Sequence, residues 1–201
     1  MTDERTRKLE ELVREFLLLI GEDPNREGLK ETPARVARMW LEELSAGYRE
    51  DPTAHLKIFT ASDAGLKNGI VVVRDIPVRS ICEHHLLPFF GYAHIAYVPD
   101  GRILGFSKFA RIVGTFAKRL QVQERLTRQV ADFLYDELKP KGLMVLIDAV
   151  HTCALVRGIE EPMYLTTTEV RGIFKKDEPL RREALTLLQQ GSTVGLWRNQ
   201  G

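Results

Sequence analysis

The sequence predicts an α+β fold in which a largely antiparallel sheet is backed by a pair of helices and preceded by an α-helical arm. Three observations carry this. Apolar residues recur at helical spacing near the N-terminus and again across residues 107–138. Strand-like apolar runs fall in two separated groups, residues 70–98 and 143–170. The resulting order is helices, two strands, two helices, two strands, which differs from the strict strand–helix alternation of a parallel sheet.

Residues 2–20 read as an amphipathic helix, with Leu9, Leu12, Val13, Phe16 and Leu17 on one face. Gly21–Gly28 is a turn-rich connector. Thr32-Pro33 starts a second helix, with Thr at the N-cap and Pro at the first helical position, where a missing N–H costs nothing. That helix carries Val36, Met39, Trp40 and Leu44 and stops near Gly47. Residues 1–50 thus form the arm and 51–201 the main domain. Ile70–Val73 and Ala93–Val98 are strand material, separated from the next helix by the turn Pro99-Asp100-Gly101-Arg102. Helices follow from Ser107 to about Leu120 and from near Glu124 to Leu138. Pro140-Lys141-Gly142 ends the pair. Leu143–Val156 is a long strand, Tyr164–Val170 another, and Leu180–Leu188 a closing amphipathic helix.

Composition narrows the function classes. With 201 residues, 44% apolar and 28% charged, the chain is ordinary globular material. Twenty-nine basic residues against 28 acidic give a net charge of +1, so bulk charge points to neither nucleic acid nor an acidic membrane. The densely charged Met1–Glu15 is unlike a secretory signal, and no apolar run approaches the ~20 residues of a membrane span. A cytoplasmic location is expected, where two cysteines are thiols or metal ligands.

Both cysteines and three of the five histidines fall in two short clusters, Cys82-Glu83-His84-His85 and His151-Thr152-Cys153. Two thiolates and one imidazole form the three-ligand set that zinc uses when its fourth position is left for water. Cys82 and His85, three apart, share one side of a helical turn. His151 and Cys153, two apart, share one face of a strand. Cys82, His85 and Cys153 are the expected ligands, with His84 and His151 as uncommitted imidazoles able to move protons. Spacing alone also permits His84 in place of His85. A Cys82–Cys153 disulfide, or an inert Cys153 in the core, are the plainer alternatives.

No Gly-rich phosphate loop is present. Gly105-Phe106-Ser107-Lys108-Phe109-Ala110-Arg111 instead opens a helix, where free N–H groups favour an anion and Lys108 and Arg111 share a face. Arg157, four residues after Cys153, joins the metal-facing side if the strand runs unbroken. Glu124 lies between the two central helices. It is either a helix-start carboxylate or a reader that accepts from two adjacent N–H donors of a guanine, which adenine does not offer.

Cys82-Glu83-His84-His85-Leu86-Leu87-Pro88-Phe89, Gly105-Phe106-Ser107-Lys108 with Arg111, Arg119–Thr127, and His151-Thr152-Cys153 with Arg157-Gly158 resemble the GTP cyclohydrolase I family. So do Gly21–Leu29 and Thr32–Ala37, so the resemblance spans about residues 20–174. It implies the tunnelling fold, whose subunits join their sheets into barrels, typically as a homodecamer with active sites between subunits. Zinc would sit on Cys82, His85 and Cys153, and GTP would be the substrate. Glu124 would hold guanine with Gln123 nearby, and Ser107, Lys108, Arg111 and Arg157 would grip the triphosphate, with Arg35 from a neighbour. His84 and His151 would carry protons, His151 to N7 of the purine. The implied reaction opens the purine ring hydrolytically, releases C8 as formate and yields 7,8-dihydroneopterin triphosphate, the first pterin on the way to folate or biopterin. Allosteric control by a regulatory protein is left open by the sequence.

Three departures stand out: Ala154 where the family has Met, Glu160–Leu165 in place of a Ser-rich stretch, and Phe106 for Leu. Two rivals share the fold. One is an inactive zinc- and nucleotide-binding regulatory subunit, in which two proton carriers would have no task. The other is an enzyme for a different purine or pterin, against which the three basic positions speak.

Overall fold

The computed structural model describes residues 4–65 and 69–189. The arm comes first, as α1 (Glu4–Leu19) and α2 (Thr32–Arg38), which runs on through a π-helical turn at Met39–Leu44. The first two residues of the expected 2–20 helix lie outside the described residues. Helix α2 starts one residue earlier than the sequence suggests. Glu31, not Thr32, is the N-cap, and it makes no side-chain cap bond. The preceding turn is already wound, since Thr32 N–H donates to Leu29 at 2.9 Å, so Thr32 enters as a helical residue. The arm's end is stitched to the main domain. Gly47 N–H donates to the Lys118 carbonyl at 3.0 Å, and a Cβ on Gly47 would sit 2.0 Å from the Thr115 carbonyl oxygen. Only glycine allows that approach.

The remaining elements are β1 (Ile58–Thr60), β2 (Val71–Cys82), β3 (Pro88–Val98), β4 (Arg102–Leu104), α3 (Phe106–Ala117), β5 (Leu120–Gln121), α4 (Gln123–Leu138), β6 (Gly142–His151), the single turn α5 (Thr152–Leu155), β7 (Tyr164–Gly172) and α6 (Glu178–Gln189). Five strands form the main sheet in the order β5-β2-β3-β6-β7. All pairings in it are antiparallel except the short β2–β5 contact. β1 and β4 form a separate ribbon that sequence periodicity did not reveal, because three-residue strands show no alternation.

Period-two alternation sorts the sheet into two faces. Val73, Ile76, Val78, Phe89, Ala93, Ile95, Tyr97, Leu143, Val145 and Ile147 face α3 and α4, which answer with Phe109, Ile112, Val113, Leu126, Val130 and Leu134. This continuous buried layer is the core. The opposite face carries a smaller cluster of Ala96 and Met144 with Phe174, Ala184 and Leu188, so α6 covers part of it. Gly91 allows β3 and β6 to close up, since a Cβ there would lie 2.0 Å from the Asp148 carbonyl oxygen.

Two strand expectations change. β2 and β3 extend toward each other to Cys82 and Pro88, so the metal cluster sits at a hairpin tip rather than in a helix. The strand expected to reach Val156 stops at His151. Its partner explains why. The next register position on β3 is Pro88, which has no N–H for the ladder, and its carbonyl is taken by the Thr152 hydroxyl at 2.6 Å. The chain then coils into α5.

Candidate active site

Two strand ends and one helix start meet here. β2 delivers Cys82 at its last residue, and a tight turn follows. Leu86 N–H donates to Cys82 O and Cys82 N–H to Leu87 O, both at 2.9 Å, with Leu86 at φ 55°. The turn leaves His84 and His85 exposed and Cys82 buried. β6 ends beside it, and the coil of α5 swings Cys153 toward Cys82. The sulfurs of Cys82 and Cys153 and a ring nitrogen of His85 all lie within 4.8 Å of one another. The predicted trio is thus brought together, although neither half has its expected backbone. Among the described residues it is the only such cluster.

The distances do not rank the two histidines decisively. His84 Nδ1 lies 3.9 Å from Cys82 Sγ and His85 Nδ1 lies 4.0 Å, but only His85 also reaches Cys153. Burial, and then the neighbouring Cys82 sulfur, push the Cys153 thiol up, while the Arg157 charge pulls it back. A nearby cation would reverse this, since it favours the thiolate form of Cys153.

His151 is held on two sides. Its register partner across the sheet is Phe89, whose ring stacks on the imidazole at 4.6 Å between centroids and 6° between planes. Its Nε2 lies 2.9 Å from Gln123 Oε1. Gln123 is fully buried, and its Nε2 donates to the carbonyls of Ile147 at 3.0 Å and Leu165 at 2.7 Å. Carbonyls only accept, so the amide has one orientation, and His151 Nε2 must be the N–H. His151 Nδ1 keeps the lone pair. Burial lowers the His151 pKa, partly offset by the Glu124 carboxylate. Gln123, expected beside the substrate, therefore has its side chain committed beneath His151. Sequence reasoning missed this, and a Gln at a helix start gives no signal of what lies under the sheet.

Glu124 is exposed at the first turn of α4, one residue beyond Gln123. Arg157 is exposed beyond α5, near enough to Cys153 for its charge to act there. Its expected alignment along an unbroken strand does not occur, since the strand ends six residues earlier. Ser107, Lys108 and Arg111 lie elsewhere. The C-terminal end of α3 is the end near the cluster, where Ala117 O accepts from Ser80 Oγ at 2.6 Å. At 1.5 Å per residue, Lys108 is roughly 14 Å further along that helix. Arg111 lines a separate cavity of about 470 Å³ with Arg79, Lys118, His55 and Glu50. Arg35 sits on the exposed face of α2, paired with Glu31 at 2.5 Å.

Two cysteines and a histidine close enough to share a metal ion, with further imidazoles and a carboxylate nearby, fit the equipment of a hydrolytic enzyme. The profile of the family described as GTP cyclohydrolase I matches residues 9–189. GTP cyclohydrolase 1 of Clostridioides difficile is 51% identical over 183 residues, covering 90% of this chain and 95% of that one. The enzymes of the same name from Streptococcus agalactiae and Pelotomaculum thermopropionicum are 51% and 52% identical, over 92% and 90% of this chain and 97% and 96% of theirs. The chain belongs to the GTP cyclohydrolase I family, with its tunnelling fold and its activity.

Proposed function

We propose that the protein hydrolyses GTP at a zinc centre formed by Cys82, His85 and Cys153, releasing formate and giving 7,8-dihydroneopterin triphosphate. The observation that carries this is the convergence of those three donor atoms within 4.8 Å, with His151 and Glu124 beside them. Two thiolates and an imidazole suit zinc in charge and softness, and three ligands leave a position open. When bound, zinc supplies water acidified to a pKa near 7 as the nucleophile.

The chain's own residues do the rest. Glu124 accepts from the N1–H and N2–H₂ of guanine and so selects it over adenine, holding the five-membered ring against the centre. His151, with Nε2 committed to Gln123, presents Nδ1 as the atom that holds or delivers a proton at purine N7. His84, exposed on the hairpin tip, serves a second proton transfer. Arg157 approaches from the Cys153 side and binds phosphate.

Ser107 and Lys108 start α3 at the end away from this centre, and with Arg111 and Arg35 they would grip the triphosphate of GTP bound at a neighbouring subunit's centre. This is the reason to expect a homo-oligomer, a decamer in the family's pattern, with sites between subunits. Its remote phosphate contacts position the base for reaction. Among the described residues no helix is long and apolar enough to cross a membrane, and a cytoplasmic enzyme feeding folate or biopterin synthesis fits the reading. An inactive regulatory subunit would leave His84 and His151 without a task.

The test is to incubate zinc-loaded protein with GTP and follow formate together with the fluorescence of the oxidised pterin. Equal yields of both are expected. GTP binding without either product would overturn the proposal.

A further inference from the structure

The hairpin tip that carries Cys82 and His85 is tied twice, once to β5 just before α4 and once to the first turn of α4. Its backbone is held where Glu83 N–H donates to Gln121 O at 3.0 Å. Its side chain is held where the two Nη atoms of Arg125 donate to the two Glu83 carboxylate oxygens, at 2.5 and 3.0 Å. The second tie has the parallel fork geometry that gives direction as well as attraction. Its members are only about a third exposed, at 37% for Arg125 and 30% for Glu83.

The positions of both residues are informative. Arg125 is the third residue of α4, where the positive end of the helix disfavours a cation. Glu83 lies between two expected metal ligands, where two thiolates already supply negative charge. Each is poorly placed alone and well placed against the other. Glu83 Oε1 also lies 3.8 Å from His84 Nε2, so the same carboxylate faces a proposed proton carrier. At the other end, Arg125 directly follows Glu124.

We propose that Glu83 and Arg125 are positioning residues forming a strut that fixes the metal loop and His84 relative to the guanine-reading Glu124. This rests on the roles proposed above for His84, Glu124 and the three ligands. A ring held by Glu124 reacts only if its C8 lies at the metal's open side, and an error of about an ångström between the two anchors is costly. Without the strut the hairpin tip keeps its ligands but loses its fixed distance to α4.

The experiment uses zinc-loaded Glu83→Gln, Arg125→Met and the double variant, and measures kcat, KM for GTP, and zinc affinity by chelator competition. Glu83→Gln keeps the side-chain volume, so it reports even if Arg125→Met folds poorly. Each single change should lower kcat roughly ten- to a hundredfold and weaken zinc modestly, with KM within about threefold. The double variant should be no worse than the poorer single, because the two act as one unit. Wild-type kcat and zinc affinity in Glu83→Gln, or losses that multiply in the double variant, would overturn the strut. Cys153→Ala and His84→Ala are run alongside. If they behave as wild type, the underlying site reading falls; if they fail while the strut variants do not, only the strut falls.

Discussion

Gln123 Oε1 accepts from His151 Nε2 at 2.9 Å, and the rest of the Gln123 amide is fixed by the Ile147 and Leu165 carbonyls and the Thr167 hydroxyl. One buried residue thus sets both the ring orientation and the tautomer of the imidazole above it. Replacing Gln123 with Met keeps volume but removes the acceptor and leaves two carbonyls without their donor. The expected result is a drop in kcat of about ten- to a hundredfold with zinc retained. Nitrogen-15 shifts of His151 should show a single Nε2–H tautomer in the wild type and a mixture in the variant. An unmixed tautomer with lowered kcat would separate Gln123 from the imidazole.

Cys153→Ala removes one of the three proposed zinc ligands and would leave Cys82 and His85 to hold an ion alone. Metal content and turnover should fall together, with activity below about 1% of wild type. Elemental analysis of the purified protein against its formate yield checks this. Full activity would show that the ion sits elsewhere.

Legibility in the sequence followed residue chemistry rather than backbone. Cys82, His85 and Cys153 stand out because both cysteines and three of the five histidines lie in two clusters, and their donor atoms come within 4.8 Å of one another although both local conformations differ from expectation. The spacing of Cys82 and His85 predicts a helical turn, and they occupy a hairpin tip; that of His151 and Cys153 predicts one strand, and they straddle its end. Tertiary register decided both outcomes, and Pro88, which stops the β6 ladder, acts from a different strand. The sheet and the α3–α4 pair were legible because long elements bury a periodic face, as Ile112, Phe116, Val130 and Leu134 do. The short β1–β4 ribbon and the Gln123–His151 bond were not, since each depends on contacts between residues far apart in sequence.

Glu124→Gln tests base recognition. The carboxylate can accept two parallel bonds from guanine, whereas the amide places a donor against one of them. A loss in kcat/KM for GTP of roughly 10²- to 10⁴-fold is expected, because a misplaced donor leaves buried polar groups unpaired. Preference for GTP over ITP, which lacks the N2 amine, should narrow in the same variant. Comparing both substrates with both proteins checks this, and an unchanged ratio would remove Glu124 from the recognition step.

His94 gives a stability prediction away from the metal. It is 2% exposed on β3, and its Nδ1 accepts from the Asp75 N–H at 3.3 Å, which marks a neutral ring. Burial lowers its pKa; Asp75 and Asp148 work the other way, and Arg74 works with burial. A depressed folded-state pKa means that the unfolded chain takes up the proton first. Stability from this group is therefore complete above the unfolded value of about 6.5 and is lost as pH falls from there toward the lower folded value. One pH unit below the unfolded value the loss is at most about 1.4 kcal/mol. His94→Gln cannot be protonated, so between pH 7.5 and 5.5 its urea midpoint should fall less than that of the wild type at the same protein concentration. Equal shifts in the two proteins would mean that His94 charges as readily in the folded sheet as in the open chain.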